Sequence, residues 1–273
     1  MKKTLQQILI WLAVVWCLAP FAWQIITSLK TNAEIAHIPT IYAPVHPTWG
    51  HYQELFSRKP FARYLWNSFL ISSVSTVVCV LVSAMAAYSF SRLKVRGARG
   101  LQVGLISISF FPTIIFFFPL YELVRRTGMA NNPIALIVPY ITFNLPFATL
   151  ILTAFFRTIS LDIEEAAKVD GFNRWQILMK IIMPLSAPAL ATTAILIFIF
   201  CWNEFLLALT FMTRDSAKTV TAGVASLSGG SIYEIPWGAI AAAVVVSTLP
   251  LIGLVVVFQK RIIQGLTAGA TKG

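Results

Sequence analysis

The stretch EEAAKVDG, Glu164–Gly171, carries charge in a chain that otherwise avoids it. Four of the ten acidic residues fall between Asp162 and Asp170, and long apolar runs lie on both sides. Of the 273 residues 58% are hydrophobic and only 11% are charged, whereas a soluble domain carries about 25% charged residues. A water-soluble fold of this length could not bury so much apolar surface, so the composition indicates a protein embedded in lipid.

The stretch itself has the signals of a short helix. Ser160 or Asp162 can cap its start, and acidic residues in a first turn are favoured by the helix dipole. Glu164 and Lys168 are four residues apart, in the order that favours an ion pair along a helix. Gly171 fits a left-handed C-terminal cap. So short a helix is marginal in isolation, and we expect another surface to pack on it, although a solvated linker remains the alternative.

Two further features follow from the same segment. Asn173 can begin a second helix, which we predict to continue through Pro184 into the next membrane run. Ala166 and Ala167 give the first helix almost no side-chain bulk, which lets another surface approach closely.

Outward from this segment, six runs are long and apolar enough for membrane helices, each of which needs about 20 residues. They are Thr4–Leu29, Tyr64–Ser91, Gly100–Tyr121, Thr127–Phe156, Ile181–Thr213 and Ile235–Gln259. Their residues do not alternate between apolar and polar, as the strands of a membrane barrel do. We therefore predict an all-α membrane protein with six transmembrane helices.

Basic residues in the loops predict the orientation. With the N-terminus in the cytoplasm, thirteen Lys and Arg residues fall on the cytoplasmic side and eight on the outer side. This excess favours two cytoplasmic termini and places EEAAKVDG in the cytoplasm. The net charge of +11 does not indicate nucleic-acid binding, because the basic residues flank apolar runs.

No motif for catalysis or for a cofactor is present in the sequence. Cys17, Cys79 and Cys201 lie inside apolar runs without metal-ligand or redox spacing. There is no G-x-x-x-x-G-K-[ST] phosphate loop, so the chain cannot be an ATPase of that kind. We expect no metal and no cofactor, and a membrane-embedded enzyme would need more catalytic groups than the sequence offers.

One acidic residue, Glu204, stands inside a membrane run, where a charge costs about 2.5–3.5 kcal/mol at a helix centre. Beside Trp202 and Asn203 it could belong to a translocation path for sugar hydroxyls. It could equally make a structural hydrogen bond between helices or lie near the outer interface. A third reading, a proton carrier in a secondary transporter, lacks an evident inverted repeat of broken helices.

The sequence EEAAKVDGFNRWQILMKIIMP resembles the EAA loop of permease subunits in bacterial ABC importers. The residues in register are Glu165, Ala166, Ala167, Gly171, Ile181 and Pro184, with Met183 in place of the usual Leu. RYLWNSFLIS, FNLPFATLIL, CWNEFLLAL and the tail QKRIIQGLTAGATKG are similar to MalG-type permeases of carbohydrate importers. The resemblance covers essentially the whole chain and implies a type I ABC importer permease fold.

The resemblance also implies partners. A second, homologous MalF-type permease would share the translocation path, two MalK-type ATPase subunits would bind the cytoplasmic face, and an extracytoplasmic solute-binding protein would deliver solute. In the family the EAA helix is a coupling helix that docks on the ATPase. The residues expected to dock are Glu164, Glu165, Ala166, Ala167, Asp170, Gly171, Ile181 and Pro184, and we expect Ala167→Trp to uncouple transport without preventing insertion.

The resemblance therefore implies an inner-membrane permease that imports a sugar or sugar-like solute: a di- or oligosaccharide, a glycoside osmolyte or glycerol phosphate. A non-sugar solute and, further off, a proton-coupled transporter remain as alternatives. We divide the chain into an N-terminal helix and external loop (1–63), a five-helix core (64–260) with the coupling loop at 157–184, and a cytoplasmic tail (261–273) that could approach the ATPase.

Overall fold

The computed structural model describes residues 2–93, 96–228 and 235–267, so the end of the predicted tail, 268–273, lies outside the described residues. In these ranges all regular structure is helical. The α-helices are α1 (Lys2–Ser28), α2 (Asn32–Ala36), α3 (Gly50–Arg58), α4 (Phe61–Arg92), α5 (Ala98–Ser109), α6 (Phe117–Thr127), α7 (Ile134–Phe156), α8 (Leu161–Val169), α9 (Arg174–Ile177), α10 (Met183–Leu185), α11 (Ala187–Asn203), α12 (Leu206–Phe211), α13 (Val220–Ala225) and α14 (Trp237–Thr267). Thr113–Phe116 and Ser226–Ser228 form 3₁₀ turns, and Leu178–Ile182 is π-helical.

Four helices in these ranges, α1, α4, α7 and α14, are by themselves long and apolar enough to cross a bilayer. Two further candidates are bent pairs, and they raise the number of spans to six if each pair crosses once. The predicted all-helical class is therefore confirmed.

The third predicted span is not a simple helix. The segments Ala98–Ser109 and Thr113–Thr127 meet at 88°. The break falls at Pro112, which has no backbone N–H to continue the helix and whose backbone is extended, with ψ at 126°. The run stays apolar across the break, so Pro112 is the sign of a kink in the sequence, while the size of the angle could not be predicted.

The centre of the fold is α4, which packs against α7 along most of its length and also against α11. Its inward face carries small residues, among them Ser72, Ser75, Ser83, Ala84 and Ala87, all buried. Small side chains let membrane helices approach closely, which is how such helices associate without a hydrophobic driving force.

The first helix, α1, packs along α14, yet none of its most apolar 18 residues is buried in the single chain. Trp16, for example, is 83% exposed. An apolar surface of this kind must be covered by lipid or by another membrane helix.

At one end of the fold, α8 packs beneath the ends of α4 and α7. A buried cluster joins them, and its members include Tyr88, Leu152, Phe156, Ala167, Ile177 and Ile182. At the opposite end, the break between α11 and α12 packs against α13 and α14. These two ends hold the candidate functional elements.

Candidate coupling helix and solute cleft

The corner after EEAAKVDG is fixed by its backbone. Gly171 has φ at +83°, which lies in the left-handed region. Its N–H donates to the Lys168 carbonyl at 3.1 Å, and the Phe172 N–H donates to the Ala167 carbonyl at 3.0 Å. This pair of bonds is a Schellman motif, so the predicted glycine cap is confirmed.

Ser160, of the two candidates for the start of α8, is the N-cap. Its hydroxyl accepts the Asp162 N–H at 3.3 Å. The second helix, α9, begins as predicted at Asn173, whose side chain and that of Gln176 accept each other's backbone N–H at 2.9 Å. Each of the two helices, α8 and α9, therefore begins with a side chain that accepts an N–H group left free at a helix start.

The connection into the membrane differs from the expectation. The segment Arg174–Leu185 continues through Pro184, but it meets α11 at 79°, with the turn at Ser186. Pro184 lies exposed in α10, and Ile181 packs half-buried against the cluster under α4 and α7. The helix after the corner therefore runs across the end of the fold before the chain enters the membrane.

The two faces of α8 are different. Glu164 is 3% exposed and Ala167 is 4% exposed, because both point into the chain's own core. In the single chain they therefore offer almost no surface to a partner, and Ala167→Trp would place its bulk in the core rather than at a docking surface. The outward face of α8 and its corner consists of Glu165, Ala166, Val169, Asp170 and Gly171, with Trp175 of α9 beyond.

The inward carboxylate is held by Arg92, the last residue of α4. The Arg92 Nε lies 2.5 Å from Glu164 Oε1, and both side chains are at most 5% exposed. The N–H is not aimed at this oxygen, so the contact is ionic rather than an aligned hydrogen bond. Glu164 therefore pairs with Arg92 and not with Lys168, a contact between residues too far apart in sequence to be predicted from helix spacing.

Glu204 occupies the break between α11 and α12. Its carboxylate accepts the N–H of Leu207 at 2.9 Å and of Ala208 at 3.2 Å, and the Tyr140 hydroxyl at 2.7 Å. It thus caps α12 and ties it to α7. Its own carbonyl accepts the Thr221 hydroxyl at 2.8 Å. Of the readings left open by the sequence, a structural hydrogen bond between helices is the one the geometry matches.

A cleft of about 350 Å³ lies beside this break, between α11, α13 and α14. Trp202 and Asn203 line it together with Phe205, Thr221, Ser247 and Thr248, while Glu204 does not. No residue of the lining is charged. The Asn203 amide nitrogen donates to the Ile199 carbonyl at 2.8 Å, and among the described residues nothing donates to its Oδ1.

Hydroxyls on α14 complete the polar part of the cleft. Ser247 and Thr248 both donate to the Val244 carbonyl, at 2.9 and 2.7 Å, and their oxygens keep lone pairs for a further donor. Aromatic rings beside hydroxyl and amide oxygens can contact the two faces of a sugar. Across the described ranges no group of three His, Cys, Asp or Glu side chains could hold a metal ion.

The loop between α1 and α3 is organised by Glu34. Its carboxylate accepts the backbone N–H of Thr31, Val45 and His46 at 2.8–2.9 Å. These bonds, the one from Thr31 first and the one from His46 next, lower the pKa of Glu34 from 4.5 to about 2. The chain from Thr31 to His46 therefore closes into a loop around one carboxylate.

We predict that this loop keeps its structure to low pH and loses it when Glu34 is neutral. The lowered pKa means that the stabilisation is complete above about pH 4.5 and is lost as the pH falls towards about 2. Hydrogen exchange of a peptide covering Val45 and His46, corrected for intrinsic rates, should show protection at pH 5 in the wild type but not in Glu34→Gln. Glu54→Gln, in an exposed ion pair with Arg58, is the control. Equal protection in wild type and Glu34→Gln would contradict the prediction.

The comparisons with known proteins agree on one class. A family model described as "Binding-protein-dependent transport system inner membrane component" matches residues 79–267. The trehalose transport system permease protein SugB of Mycobacterium tuberculosis is 41% identical over 272 residues, which is 100% of this chain and 98% of SugB.

Two further relatives are equally similar. The sulfoquinovosyl glycerol transport system permease protein SmoH of Agrobacterium fabrum is 40% identical over 256 residues, 94% of this chain and 89% of SmoH. The trehalose/maltose transport system permease protein MalG of Thermococcus litoralis is 40% identical over 259 residues, 94% of this chain and 92% of that protein.

The fold has a close match among solved structures. A chain of a bacterial ABC transporter that imports the acidic polysaccharide alginate superposes with a TM-score of 0.79 at 23% identity, covering 94% of this chain and 95% of that one. A chain from the alginate transporter in complex with a pentasaccharide-bound periplasmic protein gives 0.68 at 15% identity, covering 94% and 93%.

Proposed function

Because the chain belongs to the family of binding-protein-dependent transport system inner membrane components, we propose that it crosses the membrane six times with both termini in the cytoplasm. It is the inner-membrane permease of a carbohydrate ABC importer and is itself non-catalytic. Six spans require each bent pair to cross once. The excess of Lys and Arg in alternate loops supports the orientation.

We infer that the permease works in an assembly. A second, homologous permease completes the translocation path, two ATPase subunits bind the cytoplasmic end, and a solute-binding protein docks on the outer end. The missing phosphate loop supports a separate ATPase. The complex of a structural neighbour with its periplasmic protein supports an outer partner.

The outward face of α8 is the proposed ATPase-docking surface. It combines small residues, Ala166 and Gly171, with exposed apolar ones, since Val169 is 89% and Trp175 is 55% exposed. An exposed valine and an exposed tryptophan on this face give a partner protein apolar surface to cover. The buried members of the predicted set, Glu164 and Ala167, support the helix from behind. This two-faced helix, exposed on one side and locked to the membrane helices on the other, is the observation that carries the proposal.

The lining of the cleft favours an uncharged solute. Oxygens of Asn203, Thr221, Ser247 and Thr248 suit hydroxyl groups, and among the described residues no cationic side chain lines the cleft to compensate an anion. We therefore propose a neutral sugar, such as the trehalose or maltose named for two of the relatives, over a sulfonated glycoside or glycerol phosphate. The second permease would form the other wall.

Reconstitution of the complete importer in proteoliposomes tests this function. Uptake of radiolabelled trehalose or maltose should require ATP and the loaded binding protein, and should persist when the proton gradient is collapsed. Sulfoquinovosyl glycerol and glycerol phosphate should not compete. Uptake that needs the proton gradient but not ATP, or competition by the anionic solutes, would refute the respective part of the proposal.

The cleft makes a separate prediction. Replacing Thr248 by Val together with Asn203 by Leu removes two hydrogen bonds to solute, each worth about 0.5–1.5 kcal/mol, so the KM for uptake should rise about tenfold. Thr142→Val is the matched control, because that hydroxyl also donates to the carbonyl four residues back but does not line the cleft. An unchanged KM in the double variant would exclude the cleft from the solute path.

A further inference from the structure

Arg92 joins three elements at the end of the fold that carries α8. Its Nη2 donates to the carbonyls of Phe156 and Ile159, both at 2.6 Å, where α7 ends. Its Nε contacts the Glu164 carboxylate on α8 at 2.5 Å. Because Arg92 is itself the last residue of α4, one side chain connects α4, α7 and α8.

The chemistry of this contact suits a rigid link. The last carbonyls of a helix have no partner within it, and a cation at that end is favoured by the helix dipole. A guanidinium presents several donors in one plane and can serve carbonyls and a carboxylate together, which a lysine ammonium on a flexible stem does less well. The Tyr88 hydroxyl, one turn earlier on α4, also lies beside Glu164.

Along the chain, α8 is not directly connected to α4. In sequence α8 is joined to α7 by the segment 157–160 and to α11 by the long segment through α9 and α10. Contact with α4 comes from the Arg92–Glu164 pair and from apolar packing of Ala167 near Tyr88. Since α4 is the helix on which α7 and α11 pack, a link to it reaches the centre of the membrane fold.

We propose that Arg92 is a positioning residue for coupling, which makes the cytoplasmic ends of α4 and α7 follow α8 when the ATPase moves it. The proposal rests on the docking role proposed above for α8. A buried ion pair is poor evidence for stability, since an apolar pair of similar volume often replaces it without loss, whereas removing one partner leaves an uncompensated charge. If Arg92 only stabilises the fold, replacing both charged residues by apolar ones should leave transport by the assembled complex unchanged. If Arg92 couples α8 to α4 and α7, the same replacement should lower the import per ATP.

The test uses the complete importer in proteoliposomes and measures assembled complex, ATP hydrolysis stimulated by loaded binding protein, and solute imported per ATP. Glu164→Leu alone should reduce the amount of assembled complex. The double variant Arg92→Met, Glu164→Leu removes both charges but leaves the Phe156 and Ile159 carbonyls without the Arg92 donor, so it should assemble better than Glu164→Leu alone, while its import per ATP should fall about tenfold. Arg92→Lys, which keeps the charge, should assemble normally with import per ATP lowered about threefold.

The control is the exposed pair Arg58 and Glu54, whose replacement by Met and Leu should change none of the three measurements. Wild-type import per ATP in both the double variant and Arg92→Lys would overturn the proposal. So would a loss of uptake that only follows the loss of assembled complex. Ala166→Trp, on the outward face, distinguishes the two proposals: if it transports normally, the docking role of α8 itself fails.

Discussion

Ala166→Trp should lower ATP-driven uptake about 30- to 100-fold while the chain still inserts and assembles with the second permease. Ala166 lies on the outward face of α8 and is exposed, so a tryptophan there meets no part of this chain. In the complex it would hold the ATPase surface away from α8. Losing a central contact of an interface costs about 2 kcal/mol or more, and about 2–2.8 kcal/mol corresponds to that factor. Uptake, and co-purification of the second permease, are the measurements.

Two neighbouring variants sharpen this test. Ala166→Ser keeps the small volume and should transport within about twofold of the wild type. Ala167→Trp places the same bulk one residue on, in a buried site, and should reduce the amount of folded complex instead. If Ala166→Trp and Ala167→Trp behave alike, the two faces of α8 do not have the separate roles assigned to them.

Glu204→Leu should reduce the assembled complex more than tenfold. The substitution leaves the N–H groups of Leu207 and Ala208 and the Tyr140 hydroxyl without their acceptor. Each unsatisfied buried donor costs about 1–3 kcal/mol, so three together cost about 3–9 kcal/mol, which is a large part of the about 5–15 kcal/mol that stabilises a typical fold. Quantitative immunoblotting of the purified complex measures the loss.

Glu204→Gln should lie between wild type and Glu204→Leu. The glutamine carbonyl oxygen can accept some of these hydrogen bonds. Its amide nitrogen, itself a donor, would lie against the remaining N–H or O–H donors. Glu122→Leu, on the exposed surface of α6 where the acid pairs only with Arg125 and Arg126, should assemble normally. A Glu204→Leu complex that assembles in full yet fails to transport would instead assign Glu204 to the solute path.

The local features of the coupling segment could be predicted from its sequence because they depend on neighbours a few residues away. The left-handed Gly171 and the Asn173 cap follow from residue types at fixed offsets from a helix end. The six apolar runs could also be predicted, because hydropathy is a sum over adjacent residues. These signals define the elements and the class of protein.

The orientation of side chains could not be predicted in this way. Whether Glu164 points to a partner or into the core depends on Arg92, which lies 72 residues earlier. From the sequence alone, Arg92 is only one of the thirteen basic residues assigned to the cytoplasmic side. The role of Glu204 depends on Tyr140, 64 residues away. The breaks at Pro112 and Ser186 lie inside apolar runs, and the hydropathy of those runs gives no measure of the angle between the two parts.

The length of α11 has a consequence for the membrane around it. Its 17 residues rise about 25 Å, which is less than the hydrocarbon thickness of about 30 Å. A helix that starts at one boundary of the hydrocarbon layer and rises about 25 Å ends about 5 Å short of the other boundary. We therefore expect the Asn203 end of α11, which lines the cleft, to lie at hydrocarbon depth rather than at the level of the headgroups.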